Sequence, residues 1–298
     1  GAGDKAFCAG GDVVSLHHAM AQGKPTSLVE EFFTLEYKLD YLIHTFDKPI
    51  LVWGNGIVMG GGLGLMAGAS HRVVTETSRI AMPEQTIGLY PDVGGSYFLH
   101  KMPQNVGLFL GLTSASINCD DARFVSLADH FIDSNKYDAM LAQILTAKWG
   151  KTASLNHDRL TDLLTDLDNQ SARMPKGNIK ANLKTIQKLG EFETLQEQVN
   201  YILGLTTNDK WLQRAQKSLK HGCPLSCALV SEQLKTSKGK SLLACFKMEL
   251  GMSVRAGEVG EFQEGVRALL IDKDGAPNWQ YKTLSDVPQT IIDSFFAN

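Results

Sequence analysis

Two glycine turns hold the first residues of this chain that could do chemistry, and they would do it with backbone rather than side chains. The stretch "GNGIVMGGGLGLMAGASHRVV", Gly54 to Val74, holds seven glycines, three of them consecutive at Gly60, Gly61 and Gly62. Glycine gives up more backbone freedom on folding than any other residue, so such a run needs a reason. A strand that enters a glycine turn and leaves as a helix aims backbone N–H groups and the positive helix end at one point. That point suits a phosphate, or an oxyanion that develops during a reaction. The dinucleotide pattern G-x-G-x-x-G is not met, because G-G-G-L-G lacks its last glycine, and no Gly-Lys-Ser/Thr completes a P-loop. Close packing of strand against helix is the plain structural alternative, and for this run alone it is the stronger one. The second turn, Ala9-Gly10-Gly11-Asp12, shifts the balance, because it follows the apolar pair Ala6-Phe7 at the end of another expected strand. Two N–H groups, one from each turn, converging on one carbonyl oxygen make an oxyanion hole.

Elements that alternate along the chain must position these turns. Pro25-Thr26-Ser27 opens a helix, with Ser27 and Glu30 at capping-box spacing. Leu28, Phe32, Leu35, Leu39 and Leu42 follow at helical intervals and predict the buried face. Lys48-Pro49 ends that run, Ile50 to Trp53 reads as a buried strand, and the glycines lead into a small-residue helix from about Leu63 to Ala69. "HRVVTE" and "ADHFID" read as strands, and "SRIAMPEQTIGLYPDVGGSYFLHKM" as strand, loop and helix. Short strands alternating with helices predict an α/β fold with largely parallel pairing. After about Ser134 the texture is helical throughout, from "KYDAMLAQILTAKW" through "IKANLKTIQKLGEFETLQEQVNYI" to "KSLLACFKMELGMSVRAG". This predicts an α/β core over 1–134 and a helical region over 135–298. The opening "GAGDKAFCAGGD" reads as a chain already in mid-fold, so an N-terminal segment is expected to precede it.

Composition excludes several classes. The 298 residues are 43% hydrophobic, enough for a large packed core and against disorder. With 29 basic and 32 acidic residues well mixed, net charge −3, no basic face is expected for nucleic acid. No stretch reads as a membrane span. Five irregularly spaced cysteines suit free thiols in a reducing compartment, with Cys223 and Cys227 read as buried side chains rather than half a metal site. The expected location is the cytoplasm for a bacterial protein, or the mitochondrial matrix for a eukaryotic one.

In order and spacing, "KAFCAGGDV", "KPILVWGNGIVMGGGLGL" and "AMPEQTIGLYPDVGGSYFL" resemble the crotonase (enoyl-CoA hydratase/isomerase) superfamily, over essentially all of residues 1–134. Within it, "IVMGGGLGL", "AMPE", "PDVGGSYFL" and the distal "EFQEGVRALLIDKDGAPNW" resemble the 3-hydroxyisobutyryl-CoA hydrolases. The resemblance implies a crotonase-like spiral of ββα units followed by a helical C-terminal region, with N-terminal strands that this chain lacks. It implies an acyl-CoA substrate whose thioester oxygen is held by the backbone N–H groups of Gly11 and Gly61, flanked by Gly10, Gly60 and Gly62. Coenzyme A would be part of the substrate, with no separate cofactor and no metal. A trimer-type homo-oligomer is the assembly common among such proteins.

The carboxyl groups discriminate within the resemblance. Hydratases of the superfamily use two glutamates; one matches Glu84, whereas the position of the other is Gly64 here. Asp92, eight residues after Glu84, supplies a different second acid, the pairing found in the hydroxyisobutyryl-CoA hydrolases. The implied reaction is hydrolysis of a short β-hydroxyacyl-CoA, 3-hydroxyisobutyryl-CoA of valine breakdown above all. Glu84 acts as nucleophile or as general base on water, and Asp92 manages protons or orients the substrate. Two adjacent carboxyls out of water push at least one pKa upward. On residue type alone, Glu84 would cap a helix and Asp92 close a turn after Pro91. Two other functions stay open: enoyl-CoA isomerisation or hydration with Glu84 as the strong acid/base, and non-catalytic acyl-CoA binding. Asp12 is expected to cap the helix after it, and His71 and His100 to be packed or exposed without a chemical role. Lys180, Lys184 and Lys188 form a stripe read as a solvated helix face, with a CoA phosphate contact as the sharper alternative. Arg267 and Lys273 are open to structural pairing, to CoA phosphates or to a neighbouring subunit.

Overall fold

The computed structural model describes residues 1–21 and 27–297. Pro25 and Thr26, expected to open the second helix, lie outside the described residues. The strands are β1 (Ala6–Cys8), β2 (Leu51–Gly54), β3 (Ile57–Met59), β4 (His71–Val74), β5 (Arg79–Ala81) and β6 (His130–Phe131). They form two parallel three-stranded sheets, ordered β1-β3-β5 and β2-β4-β6. The chain therefore gives β2 to one sheet and β3 to the other, and then repeats the alternation with β4 and β5. The corner between β2 and β3 is Gly54-Asn55-Gly56, where Gly56 adopts φ +64°, a left-handed conformation that side chains resist. This is the spiral of an α/β crotonase-like fold.

The helices begin with α1 (Val13–Ala21), α2 (Ser27–His44), α3 (Gly61–Ala67), α4 (Gly95–Phe98), α5 (Val106–Thr113) and α6 (Cys119–Phe124). Beyond β6 come α7 (Tyr137–Thr146), α8 (Ala153–Asn169), α9 (Ile179–Gln187), α10 (Leu195–Gly204) and α11 (Lys210–His221). The last are α12 (Pro224–Ser237), α13 (Leu242–Val259), α14 (Glu261–Val266) and α15 (Gln289–Phe296). The glycine helix starts two residues earlier than expected, at Gly61, and "IVM" before it is a strand rather than part of the turn. "IKANLKTIQKLGEFETLQEQVNYI" is two helices, because Thr194 and Glu197 form a capping box that restarts the chain as α10.

The largest correction concerns α2. Its buried residues are Val29, Phe33, Tyr37 and Asp40, while Leu28, Leu35, Leu39 and Leu42 are exposed and Phe32 is partly buried. Two apolar stripes share this helix, and the less leucine-rich one faces inward because it meets α13 and α14. Tyr37 lies 5.9 Å from Phe246 of α13, ring centre to ring centre, and Phe33 lies 6.4 Å from Phe262 of α14. At Gly257 of α13 a side chain would come within 2.9 Å of Val29 Cγ1, so the two helices meet at glycine distance. Helices α12, α13 and α14 share one continuous core with the β1-β3-β5 sheet and α5. A second cluster of Val73, Ile132, Met140, Leu160, Leu164 and Leu167 packs α7 and α8 on the other sheet.

The phase of α2 is directly testable by chemical denaturation. Leu35→Ser, at a side chain 61% exposed, should change stability by no more than about 0.5 kcal/mol. Phe33→Ala, two residues earlier and on the opposite face, should cost about 3–5 kcal/mol. Equal losses for the two would put the leucine stripe back inside.

Candidate active site

The two glycine turns meet. A Cβ placed on Gly10 would lie 3.6 Å from the Gly61 amide nitrogen, and one on Gly60 or Gly61 would lie 3.7 Å from Gly10 Cα. The Gly61 amide is the first of α3, where no intrahelical acceptor exists. Gly62 is needed for packing: a Cβ there would strike the Cys8 carbonyl of β1 at 2.3 Å. Close packing and an open amide cradle are thus divided between neighbouring glycines of one run. Gly11 carries Phe32 of α2 against it, with the ring 2.4 Å from where a Cβ would be.

Glu84 opens a short 3-10 turn, Glu84–Ile87, directly after β5. It is buried, its Oε1 reaches to 3.3 Å from the Cβ position of Gly60, and its Oε2 has no hydrogen-bond partner. Burial, and next the charge of Asp92, push its carboxyl well above the ordinary range. Asp92 is buried as well and is pushed up by burial, with a hydrogen bond from Tyr37 opposing the rise. The structure therefore brings Glu84 and Asp92 to electrostatic contact beside the glycine cradle.

Three acidic or phenolic residues of α2 complete the site and were not singled out from the sequence. Glu36 Oε1 lies 2.3 Å from the Cβ position of Gly61, and burial followed by Asp92 raises Glu36 to about 8. Tyr37 Oη is 2.6 Å from Asp92 Oδ2. Asp40 is fully buried with both carboxyl oxygens unpartnered, and burial raises it to about 9 with Glu36, Asp92 and Glu249 adding. The spacing 36-37-40 is one helical face, but it hid behind the more apolar leucine stripe. Asp40 also closes Gly64: a side chain there would meet Val93 Cβ at 2.6 Å and Asp40 Oδ2 at 2.9 Å.

The segment carrying Asp92 is strained and braced. Val93 has φ +48°, which for a β-branched residue costs on the order of 1–3 kcal/mol. Glu249 of α13 accepts the N–H groups of Gly94 and Ser96, both at 2.8 Å, and Gln233 of α12 donates to the Pro91 carbonyl and to Ser96 Oγ. These bonds hold the backbone on both sides of Val93.

The remaining sequence candidates fall outside the site. Asp12 caps α1 by accepting the Ser15 N–H and hydroxyl. His71 bonds Ser70 and Thr161 and stacks on His157, tying β4 to α8, while His100 bonds the Ser96 carbonyl. Lys180, Lys184 and Lys188 are exposed, and Lys180 pairs with Asp120. Arg267 is held by Glu264, Asp272 and Asp274. Lys273 is exposed at φ +56°. The five cysteines are free, with Cys223 and Cys227 buried. No described helix is long and apolar enough to cross a membrane.

A family described as Enoyl-CoA hydratase/isomerase matches residues 1–296. The chain is 34% identical to "3-hydroxyisobutyryl-CoA hydrolase, mitochondrial" of Dictyostelium discoideum, covering 99% of this chain and 77% of that protein. It is 35% identical to the Danio rerio protein of the same name, covering 100% and 76% respectively. Among solved structures, an enoyl-CoA hydratase from Rhodobacter sphaeroides superposes with a TM-score of 0.85 at 32% identity, covering 99% of this chain and 81% of that one.

Asp40 gives this site a pH signature. Its carboxyl ionises near 3.8 when unfolded but only at about 9 when folded, so the native state holds a proton that the unfolded state has lost across that window. Folding stability tied to Asp40 is therefore full below pH 3.8 and falls as pH rises through the window, by up to about 1.4 kcal/mol per pH unit. Asp40→Asn, followed by thermal unfolding, should match wild type near pH 4 and exceed it progressively up to pH 9. A constant offset at every pH would show that Asp40 is ionised in the native state.

Proposed function

The chain belongs to the enoyl-CoA hydratase/isomerase family, and from that premise we propose that it hydrolyses a short β-hydroxyacyl-CoA thioester, 3-hydroxyisobutyryl-CoA in the first place. The observation that carries the choice of reaction is the closed space at Gly64, filled by Val93 and Asp40, with the buried Glu84–Asp92 pair beside the glycine cradle. A hydratase-type second glutamate has no room at that position. The names of the relatives at 34% and 35% identity support the same substrate.

In this reading the amides of Gly11 and Gly61 donate to the thioester oxygen, and Gly10, Gly60 and Gly62 let the acyl group approach the backbone. Negative charge that develops on that oxygen is met by donors already in place, each worth about 10²–10³ in rate. Glu84 attacks the carbonyl carbon, or takes the proton from an attacking water. The C–S bond then breaks, its electron pair leaves with sulfur, and a proton from the Asp92 side neutralises the thiolate. Water supplies the oxygen of the acid product and returns the proton. Glu36, at the Gly61 edge of the cradle, is placed to accept the substrate's β-hydroxyl. The mitochondrial location in the relatives' names supports the matrix as the site of action for a eukaryotic source.

Release of free CoA thiol from 3-hydroxyisobutyryl-CoA tests this reading. Wild type should turn over, Glu84→Gln should lose about 10²–10⁴ in kcat, and Asp92→Asn a comparable factor. Folded wild type that releases no thiol but hydrates or isomerises an enoyl-CoA would overturn the hydrolase, and binding without any turnover would leave an acyl-CoA-binding protein.

A further inference from the structure

A chain of buried hydroxyls runs from Asp92 to α13 and contains fewer hydrogens than links. Asp92 Oδ2 is 2.6 Å from Tyr37 Oη, which is 2.6 Å from Ser253 Oγ. Ser253 Oγ is 2.7 Å from Tyr90 Oη, which in turn is 2.6 Å from the Glu249 backbone carbonyl oxygen. All of these side chains are buried. Two oxygens this close need one hydrogen between them. Tyr37, Ser253 and Tyr90 bring one hydrogen each, yet the chain has four links. The backbone carbonyl brings none. The fourth hydrogen can come only from Asp92.

We propose that this hydroxyl chain, with Ser253 as its positioning residue, raises the pH at which Asp92 ionises and so poises it to hold a proton as an acid of the site. With Asp92 protonated, every link runs in one direction: Asp92 donates to Tyr37, Tyr37 to Ser253, Ser253 to Tyr90, and Tyr90 to the Glu249 carbonyl. With Asp92 ionised, Tyr37 must donate to it, three hydrogens then serve four links, and one link of the chain is left with two facing lone pairs. Ionising Asp92 therefore costs the chain one buried hydrogen bond.

The charged and titratable groups around Asp92 favour one missing charge as well. Glu36, Tyr37 and Asp40 face it from α2, Glu84 from the 3-10 turn, Tyr90 from its own segment, and Glu249 from α13. None of the described ion pairs involves any of these carboxyls. The inference deepens the hydrolase reading and rests on it, since it names what poises Asp92 as an acid of that site. The hydrogen count itself is independent of any activity.

Three substitutions separate the chain from a merely structural role. In Ser253→Ala the remaining links are Asp92–Tyr37 and Tyr90–Glu249, and two hydroxyl hydrogens serve both with Asp92 ionised. In Tyr90→Phe the links Asp92–Tyr37 and Tyr37–Ser253 are likewise served. Both variants should let Asp92 ionise at lower pH, by about one pH unit, the worth of one hydrogen bond. Tyr37→Phe removes the hydroxyl donor to ionised Asp92 and should move its ionisation the other way. Ser253→Thr keeps the hydroxyl and should restore the wild-type value.

The measurement is the carboxylic-acid C=O stretch in infrared pH-difference spectra of the full chain, with circular dichroism confirming the fold of each variant. A component of the band that is lost in Asp92→Asn, with its titration lowered by Ser253→Ala and Tyr90→Phe and restored by Ser253→Thr, supports the proposal. If either of those variants does not fold, the other carries the same expectation. An Asp92 titration unmoved in the folded variants, or raised by Ser253→Ala, overturns it. Thiol release assayed on the same samples reports separately on the hydrolase reading, so either conclusion can fail without the other.

Discussion

The dominant constraint in this molecule is the burial of carboxyl groups without cations. Glu36, Asp40, Glu84, Asp92 and Glu249 come from four separate segments and meet around the glycine cradle, and burial is the leading cause of the upward shift of each. An isolated ionised carboxylate in such a place is too costly, so the groups stay protonated, accept backbone N–H bonds, or share protons. Glu249 accepts two amide hydrogens, Asp40 has no partner and is pushed up to about 9, and Asp92 is joined to a hydroxyl chain. The helices that cover the cradle, α2 and α13, create the low dielectric that raises these groups and supply several of the groups themselves.

That double role explains why the helical half of the chain is tied so closely to the α/β spiral. Asp92 sits on a loop whose next residue, Val93, is held at φ +48°. A strained loop relaxes unless its surroundings over-determine it. Here Glu249 and Gln233, more than 130 residues further along the chain, bond the backbone on both sides of the strained residue. Val93 in turn fills the space beside Gly64 and keeps α3 close to α2. Strain, brace and excluded volume are parts of one arrangement, and removing α12 and α13 would release all of it.

Much of the spiral was legible because its signals are local. The apolar pair Ala6-Phe7 and the apolar segment Ile50 to Trp53 marked β1 and β2, the glycines pointed to the cradle at Gly10–Gly11 and Gly60–Gly62, and the spacing of Glu84 and Asp92 matched a known pairing, whereas β3, which enters the triple glycine, was not read as a strand. The α2 face was not legible for a physical reason. Leu28, Phe32, Leu35, Leu39 and Leu42 form the stronger apolar stripe on hydropathy alone, whereas the true inner face carries Glu36 at its edge and Tyr37 and Asp40 within it. Periodicity rewards apolar residues and therefore looks away from a helix that buries acids. Ser253 was equally invisible. Its partners Tyr37 and Tyr90 lie more than 160 residues earlier in the chain, and a lone serine in a helix carries no signal of its own.

The same reasoning bears on how one fold separates its reactions. A glycine cradle for a thioester oxygen leaves the chemistry to whichever carboxyls surround it, so reaction type follows from which positions have room for an acid. In this chain Gly64 is closed from two sides, by Val93 from the loop and by Asp40 from the helix. Reopening it for a side chain would require both to move, and Val93 cannot move without disturbing the backbone that carries Asp92. The acid at Asp92 and the empty position at Gly64 are therefore not independent choices. A substitution at Gly64 alone would not convert the site to a second-glutamate arrangement, because it would displace the very loop on which the existing second acid stands.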